Sequence, residues 1–521
     1  MTSDDSTRKL ITVGIALGIF LFALDTSVVS TAMPTVIASL GGTELFSWVF
    51  ATYMLAATVS TPLFGKLSDL FGQKLLFTMG VGLFLLGSAL AGSSQTMTQL
   101  IVFRVIQGIG GGGLTAVAFA IIGHAYSPTE RPMVQGKLGT VWAISSIIGP
   151  ATGGFIVDHL SWRWAFFINV PIGIVPVVLI LAYLKDVRRE GASPVIDFTG
   201  AALLSASIVS LLFALLLAGT RGWSSTTTLG LFALTAILLV ALVENERRVA
   251  EPIVPLGLFR LRTFSVCNTG NLITGAALFG ITGFIPLFVQ GVLGGSATTA
   301  GLAIMPLSLG WPLGSLVGGQ AVNRFGYRTL VLIGMGLMIA GFFLLAGMGV
   351  DSTPVIIGRN MFVIGLGMGL LTPVMSAAIQ NAVPAAQMGV ASASVLFYQN
   401  IGGTVGVSVM GAILNSQMGI WSAQLVGSDS LRALSANLGV NLGDPSVLLK
   451  PELVGELPGT VFFALQQSLA NSLTTLFVVS LAMMIFGFVV TLFMPDSTPT
   501  ADIAGSATSP ILAERATEVQ N

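Results

Sequence analysis

Gly65-Lys66-Leu67-Ser68-Asp69-Leu70-Phe71-Gly72-Gln73-Lys74 closes an apolar run at 46–64, and a related stretch, Gly319-Gln320-Ala321-Val322-Asn323-Arg324-Phe325-Gly326-Tyr327-Arg328, closes another at 298–320. Both have glycines seven apart and a basic residue two beyond the second glycine. A segment that recurs in this way points to repeated helix bundles, the common build of secondary transporters, with a substrate site between the repeats. The repeat makes apolar runs one to six and nine to fourteen equivalent bundles and leaves runs seven and eight as an inserted pair.

The runs lie at 10–34, 46–64, 75–93, 97–123, 135–157, 164–184, 198–218, 226–243, 265–290, 298–320, 329–349, 353–380, 388–415 and 470–494. A spanning helix needs roughly 20 such residues, so the expected fold is an all-α membrane protein with fourteen transmembrane helices. Composition agrees: 54% hydrophobic and 8% charged residues, with a mean hydropathy of +0.90, exclude a multi-domain soluble protein. The 63 glycines suit closely packed membrane helices. Met1 to Lys9 is short and polar and leads into a full-length run without a small-residue cleavage site, which reads as an anchor rather than a removable signal. With the amino terminus inside, sixteen basic residues face the cytoplasm and four, Arg163, Arg221, Arg432 and Lys450, face outward. That imbalance orients both termini inward, in an inner or plasma membrane.

The expected divisions are an N-terminal six-helix bundle at 1–190, the inserted pair with a cytoplasmic linker at 191–263, and a C-terminal six-helix bundle at 264–495. An extracytoplasmic loop at 416–469 should form short surface helices, and the Ser-, Thr-, Ala- and Pro-rich tail at 496–521 should be disordered. The lone Cys267 excludes an intramolecular disulfide and a thiolate cluster, and His124 and His159 fall at span ends among polar residues, so no metal site is expected.

Six motifs follow one another along the chain. They are Leu24-Asp25-Thr26-Ser27-Val28-Val29 through Pro34, the Gly65 to Lys74 turn, Arg104-Val105-Ile106-Gln107-Gly108, Gly149-Pro150-Ala151-Thr152-Gly153-Gly154, Trp162-Arg163-Trp164-Ala165-Phe166-Phe167-Ile168-Asn169-Val170-Pro171, and Pro255-Leu256-Gly257-Leu258-Phe259. In this order and on these sides, the sequence resembles the major facilitator superfamily, and within it the fourteen-span drug:proton antiporter branch of the QacA/EmrB type. The likeness runs from the first span to the last. Gln73 stands where that family often has Arg, and Ser30 where it often has Asn.

Of the 22 acidic residues, 21 fall in loops, tails or span ends, and Asp25 alone lies well inside the hydrocarbon. Intramembrane acids mark ion pathways by default. At 1.5 Å per residue, Asp25 is roughly 22 Å along the first span, and Arg104, in the fourth, sits at a similar height. The resemblance implies that these spans are neighbours, in which case the guanidinium favours ionised Asp25 while desolvation favours the neutral acid. Asp25 and Arg104 are therefore the expected proton-coupling pair. Asp69 is placed to meet the amino-terminal end of another helix, and the resemblance nominates the start of span thirteen near Gln387 and Met388. Gly65, Asp69, Gly72 and Lys74 then form a cytoplasmic gate.

Gly139, Gly149, Pro150, Gly153 and Gly154 give span five a small-xxx-small surface beside a helix-interrupting proline, and the resemblance implies an antiporter signature there. Midspan Gln107, Trp142, Phe397, Tyr398, Gln399 and Asn400 are the candidates for an apolar, aromatic cavity. The C-terminal bundle offers no midspan acid, which favours monocationic, zwitterionic or neutral amphiphiles, hydrophobic or monocationic ones first, over dications. The expected function is proton-coupled export of such compounds by alternating access. Export of an endogenous lipid, siderophore or secondary metabolite would use the same machinery, and a proton-coupled nutrient symporter is the reading of a different class. The chain lacks a nucleophile–base pair or metal cluster for an enzyme, and Gly110 to Gly113 lacks the ending of a phosphate-binding loop. The expected partners are small amphipathic substrates, protons and membrane lipids. A functional monomer is expected, with no cofactor beyond the proton gradient and no nucleic acid.

Overall fold

A computed structural model of the chain describes residues 5–41, 45–185, 196–426, 435, 447–448, 457–496 and 498. Among the described residues the regular structure is helical and there is no strand. The helices are α1 (Asp5–Leu40), α2 (Phe46–Phe71), α3 (Gln73–Gly92), α4 (Met97–Ala125), α5 (Arg131–His159), α6 (Trp164–Phe167), α7 (Asn169–Tyr183), α8 (Phe198–Arg221) and α9 (Thr226–Arg248). They continue as α10 (Arg262–Thr282), α11 (Ile285–Leu287), α12 (Ala297–Ala346), α13 (Pro354–Ala382), α14 (Met388–Val426) and α15 (Gly459–Thr491).

Twelve helices among the described residues are long and apolar enough to cross a membrane, against the fourteen spans expected. One of the twelve, α12, is counted once although the chain turns back within it. At Gly326 the backbone takes φ 77° and ψ 166°, and at Gly72, its counterpart in the sequence repeat, φ 96° and ψ 148°. Only glycine adopts such a conformation without strain. Packing on α13 shows the reversal: Gly310 lies against Phe362 and Gly318 against Leu370, whereas Gly334 lies against Leu371 and Gly341 against Ile364. The first half of α12 thus runs parallel to α13 and the second half antiparallel. The other difference is α14, which is helical over 39 residues but is not among the twelve.

Close approach of backbones holds the bundles together. In a bilayer the hydrophobic effect between helices is absent, so small residues that admit tight packing carry the association. Thr96 and Thr353 begin α4 and α13 alike, each accepting a hydrogen bond from the backbone N–H three residues on, of Gln99 and Ile356. Next to the glycine run of α4, a Cβ on Gly112 would stand 2.1 Å from the Ala57 carbonyl of α2 and one on Gly110 2.2 Å from the Phe84 nitrogen of α3. The inserted pair α8–α9 packs its Leu204, Ile208, Leu212, Leu215 and Leu242 against Leu55, Val59 and Leu63 of α2 and Phe397 and Val405 of α14. It covers the seam between those two helices.

Two boundaries differ from the sequence reading. The loop expected at 416–469 is helical over its first and last parts, because α14 runs on to Val426 and α15 begins at Gly459. Hydropathy marks where apolar side chains stop, whereas a helix continues for as long as its backbone bonds propagate. Most of the rest of that loop, and the tail at 496–521 apart from 496 and 498, lie outside the described residues.

Candidate functional site

The first span delivers Asp25 to a fully enclosed polar cluster. Asp25 and Arg104 are each 0% exposed, and the expected pairing is present: Arg104 Nη1 donates to Asp25 Oδ2 at 2.6 Å. The other carboxylate oxygen, Oδ1, accepts from Gln107 Nε2 at 2.7 Å and from Asn169 Nδ2 at 2.9 Å. Arg104 Nη1 also donates to Gln107 Oε1 at 2.8 Å. Ser88 of α3 accepts from Asn169 at 2.9 Å and donates its own hydrogen bond to the Phe166 carbonyl at 2.8 Å. Beneath the guanidinium lies the Tyr53 ring of α2, 3.8 Å from Arg104 Cζ, a desolvated cation–π contact worth about 2 kcal/mol. Arg104 Nε and Nη2 and the Tyr53 hydroxyl have no hydrogen-bond partner.

Five elements therefore meet at one carboxylate. Asn169, Ser88 and Tyr53 were not singled out by sequence reading. Asn169 stands within a quoted motif, which is the one signal pointing to it; Ser88 and Tyr53 sit in apolar runs with nothing to distinguish them from packing residues.

The repeated segment builds a latch at one end of the bundles. Asp69 accepts from the backbone N–H of Gly389 at 2.7 Å and of Val390 at 3.1 Å, at the start of α14 and just past the expected Gln387 and Met388. Unpaired N–H groups and the helix dipole make a first turn receptive to a carboxylate. Gly65 permits the approach, since a Cβ there would be 2.7 Å from the Gly389 carbonyl. In the second copy of the repeat, Asn323 takes the place of Asp69 and donates to the Thr129 carbonyl before α5 at 3.1 Å. Gly319, in the place of Gly65, lies against Pro132 of α5. The two latches are related as the two repeats are. Further bonds at the same end join Gln135 to Gln380 at 2.8 Å and Arg131 to Asn381. Gln73 bonds the His124 ring at 2.6 Å, and the ring's other nitrogen reaches the Ala385 carbonyl at 3.1 Å. Lys74 lies in the first turn of α3.

The glycines of α5 divide between two partners. Gly149 and Gly153 face Ser27 and Thr31 of α1, the second and sixth residues after Asp25, as a small-xxx-small surface would. Gly139 instead meets Ser315 of α12, while Gly154 faces open space and Pro150 is exposed.

The six cavity candidates are not brought together. Gln107, expected in the cavity wall, is 0% exposed with its amide committed to Asp25 and Arg104. Phe397 and Tyr398 turn toward the inserted pair and its linker, lining a small pocket with Pro62, Leu204 and Val254. Gln399 is buried where α14 presses on Gly275 of α10, and Asn400 is half-buried. Only Trp142 presents an open face, 44% exposed, with its edge on Phe22 next to Tyr53. Neighbours on a helix point around its whole circumference, so a run of four consecutive residues cannot line one wall.

Apolar helical bundles joined at one end over an enclosed polar cluster suit a membrane transporter. The chain belongs to the Major Facilitator Superfamily, whose family model matches residues 15–407. It is 36% identical over 506 residues to the multidrug transporter protein MdtP of Bacillus subtilis (strain 168), covering 94% of this chain and 93% of that one. It is also 36% identical over 496 residues to multidrug resistance protein 3 of the same organism, covering 95% and 96%. Among solved structures, the human organic anion transporter MFSD10 (TETRAN) matches with a TM-score of 0.60 at 14% identity, over 92% of this chain and 99% of that one, which speaks to the fold alone.

Proposed function

We propose that this transporter exports amphipathic compounds, hydrophobic or monocationic, in exchange for protons entering on Asp25. The two Bacillus subtilis relatives are named a multidrug transporter protein and a multidrug resistance protein, which supports export of drug-like compounds. Proton coupling rests on one observation, the Asp25 carboxylate enclosed with Arg104, Gln107 and Asn169. Replacing a buried ion pair by apolar residues is often neutral or stabilising, so stability gives little reason to keep this one. Charge transfer across the membrane does.

The proposed cycle follows from the contacts. The structure is closed at the Asp69 end, which positive-inside orientation makes cytoplasmic, with both termini on that side of the inner or plasma membrane. Asp25 has no exposed surface here, so a proton reaches it when the bundles part at the other end. Neutralised, Asp25 gives up its charge-assisted bond to Arg104, and the guanidinium turns to other acceptors. That loosens α1 against α4 and favours the conformer open to the cytoplasm, where the proton leaves. Domains 1–190 and 264–495 are the rocking units, and 191–263 rides with the α2–α14 seam. Among the described residues of the C-terminal bundle no acid is buried, which supports a substrate with at most one positive charge. Trp142 and Phe22 are the cavity wall on the N-terminal side, and a monomer suffices.

Reconstitution in liposomes tests this. With an imposed pH gradient, cationic dyes or neutral amphiphiles should move against the proton flux; movement of substrate together with protons would make the protein a symporter and overturn the proposal.

A further inference from the structure

The inserted pair carries a buried acid that this cycle does not use. Glu246, in the last turns of α9, is 5% exposed, and neither of its carboxylate oxygens has a hydrogen-bond partner. Asp197, beside it, is satisfied: it caps α8 by accepting from the Gly200 N–H at 2.7 Å and accepts from Asn245 at 2.7 Å. A Cβ on Gly200 would stand 2.2 Å from Asp197 Oδ2 and 3.0 Å from Glu246 Oε1, so the two carboxylates are close neighbours. From α2, Lys66 is 6% exposed and pairs at 2.9 Å with Glu251 of the linker that follows α9. On α9 itself, Glu244 is engaged by Arg247 and Arg248.

Among the described residues, the charged groups facing Glu246 are thus Asp197 from α8 and Lys66 from α2, the latter shared with Glu251 of the linker. Ionised, Glu246 would be a buried carboxylate beside Asp197, with the backbone amides of Ile253 and Val254 near it but no well-formed hydrogen bond to either oxygen. A proton supplies what the surroundings do not. Lys66 is also the residue after Gly65, whose backbone touches Gly389, and it lies three residues before Asp69 in the latch. Charge on Glu246 would compete with Glu251 for Lys66 and repel Asp197, pulling on the end of α2 that carries the latch.

We propose that Glu246 is a second proton-binding site, exchanging with water on the Asp69 side, and that its proton holds the inserted pair against α2 and keeps the latch shut. On loss of the proton to water as hydronium, the pair loosens and the Asp69 end opens more readily. This goes beyond the role given to Asp25 and does not depend on it.

The test uses the full chain in lipid nanodiscs, with spin labels at the exposed positions Leu75 and Ala386 on either side of the latch. In the otherwise unaltered protein, the fraction with long inter-label distances should rise about threefold from mildly acidic to alkaline pH. Glu246→Gln and Glu246→Leu, two neutral variants of different shape, should both abolish that rise, and Asp25→Asn should retain it. Infrared titration should show a protonated carboxyl band that survives Asp25→Asn and vanishes in Glu246→Gln. An unchanged pH response in both Glu246 variants would overturn the proposal. So would loss of the response in Asp25→Asn alone, which would return the effect to Asp25; neither result bears on whether Asp25 couples transport.

Discussion

Asn169 is the residue whose importance is set by what surrounds it. Its amide donates both to Asp25 and to Ser88, so it fixes the carboxylate from the side opposite Arg104. Asn169→Ala leaves two buried acceptors short of a donor, a loss of about 1–3 kcal/mol. Thermal unfolding of the purified protein should show that drop, and an unaltered melting temperature would mean that the bond adds nothing. Glu130 offers a second residue-level test, outside the membrane. Burial alone would raise its carboxyl, but the Ser127 hydroxyl and amide and the Arg8 guanidinium outweigh it and hold the group below its ordinary range. A depressed folded value means that the contact is fully formed above the normal carboxylate range and is lost as pH falls through the lowered one. Hydrogen exchange at the start of α1 should therefore accelerate only in acid, and Glu130→Gln should exchange fast at every pH.

At the scale of elements, the latch is a contact between a turn and a helix start. Gly389 admits it: a Cβ there would be 2.2 Å from the Gly65 carbonyl and 2.8 Å from Asp69 Oδ1. Gly389→Val should thus force α2 and α14 apart, and Asp69→Ala should remove the two bonds that hold them. In either variant, cross-linking across the Asp69 end should fall roughly fivefold, as a shift of about 1 kcal/mol between conformers gives. Unchanged cross-linking in Asp69→Ala would reduce the turn to a packing feature. The sequence revealed this element well, because the repeat preserves backbone requirements. Gly72 and Gly326 take the same left-handed turn, and Asp69 and Asn323 occupy the same place in their latches. Span ends were less legible, since helix propagation in α14 and α15 outruns the apolar stretch.

Across the whole molecule, charge in apolar surroundings was the readable signal and side-chain direction was not. Asp25 and Arg104 stood out because hydrocarbon tolerates few charges, and the structure pairs them. Polar residues that merely point inward, such as Ser88 and Tyr53, carry no such mark. The cavity candidates failed to converge because helical phase, which hydropathy alone does not fix, turned Gln107 to the buried acid and Phe397 to the inserted pair. Glu246 was passed over as a span-end acid, and only the packing of α8 and α9 on α2 shows it to be enclosed.

Coupling between the two bundles reduces to whether the charge of Asp25 changes once per cycle. The direct measurement is substrate flux and proton flux recorded together in liposomes, with and without Asp25→Asn. Substrate should still exchange down its own gradient in the variant, while the pH gradient no longer drives it uphill and proton counterflow falls at least about tenfold. Proton-driven uphill export at the original rate in Asp25→Asn would contradict the assignment.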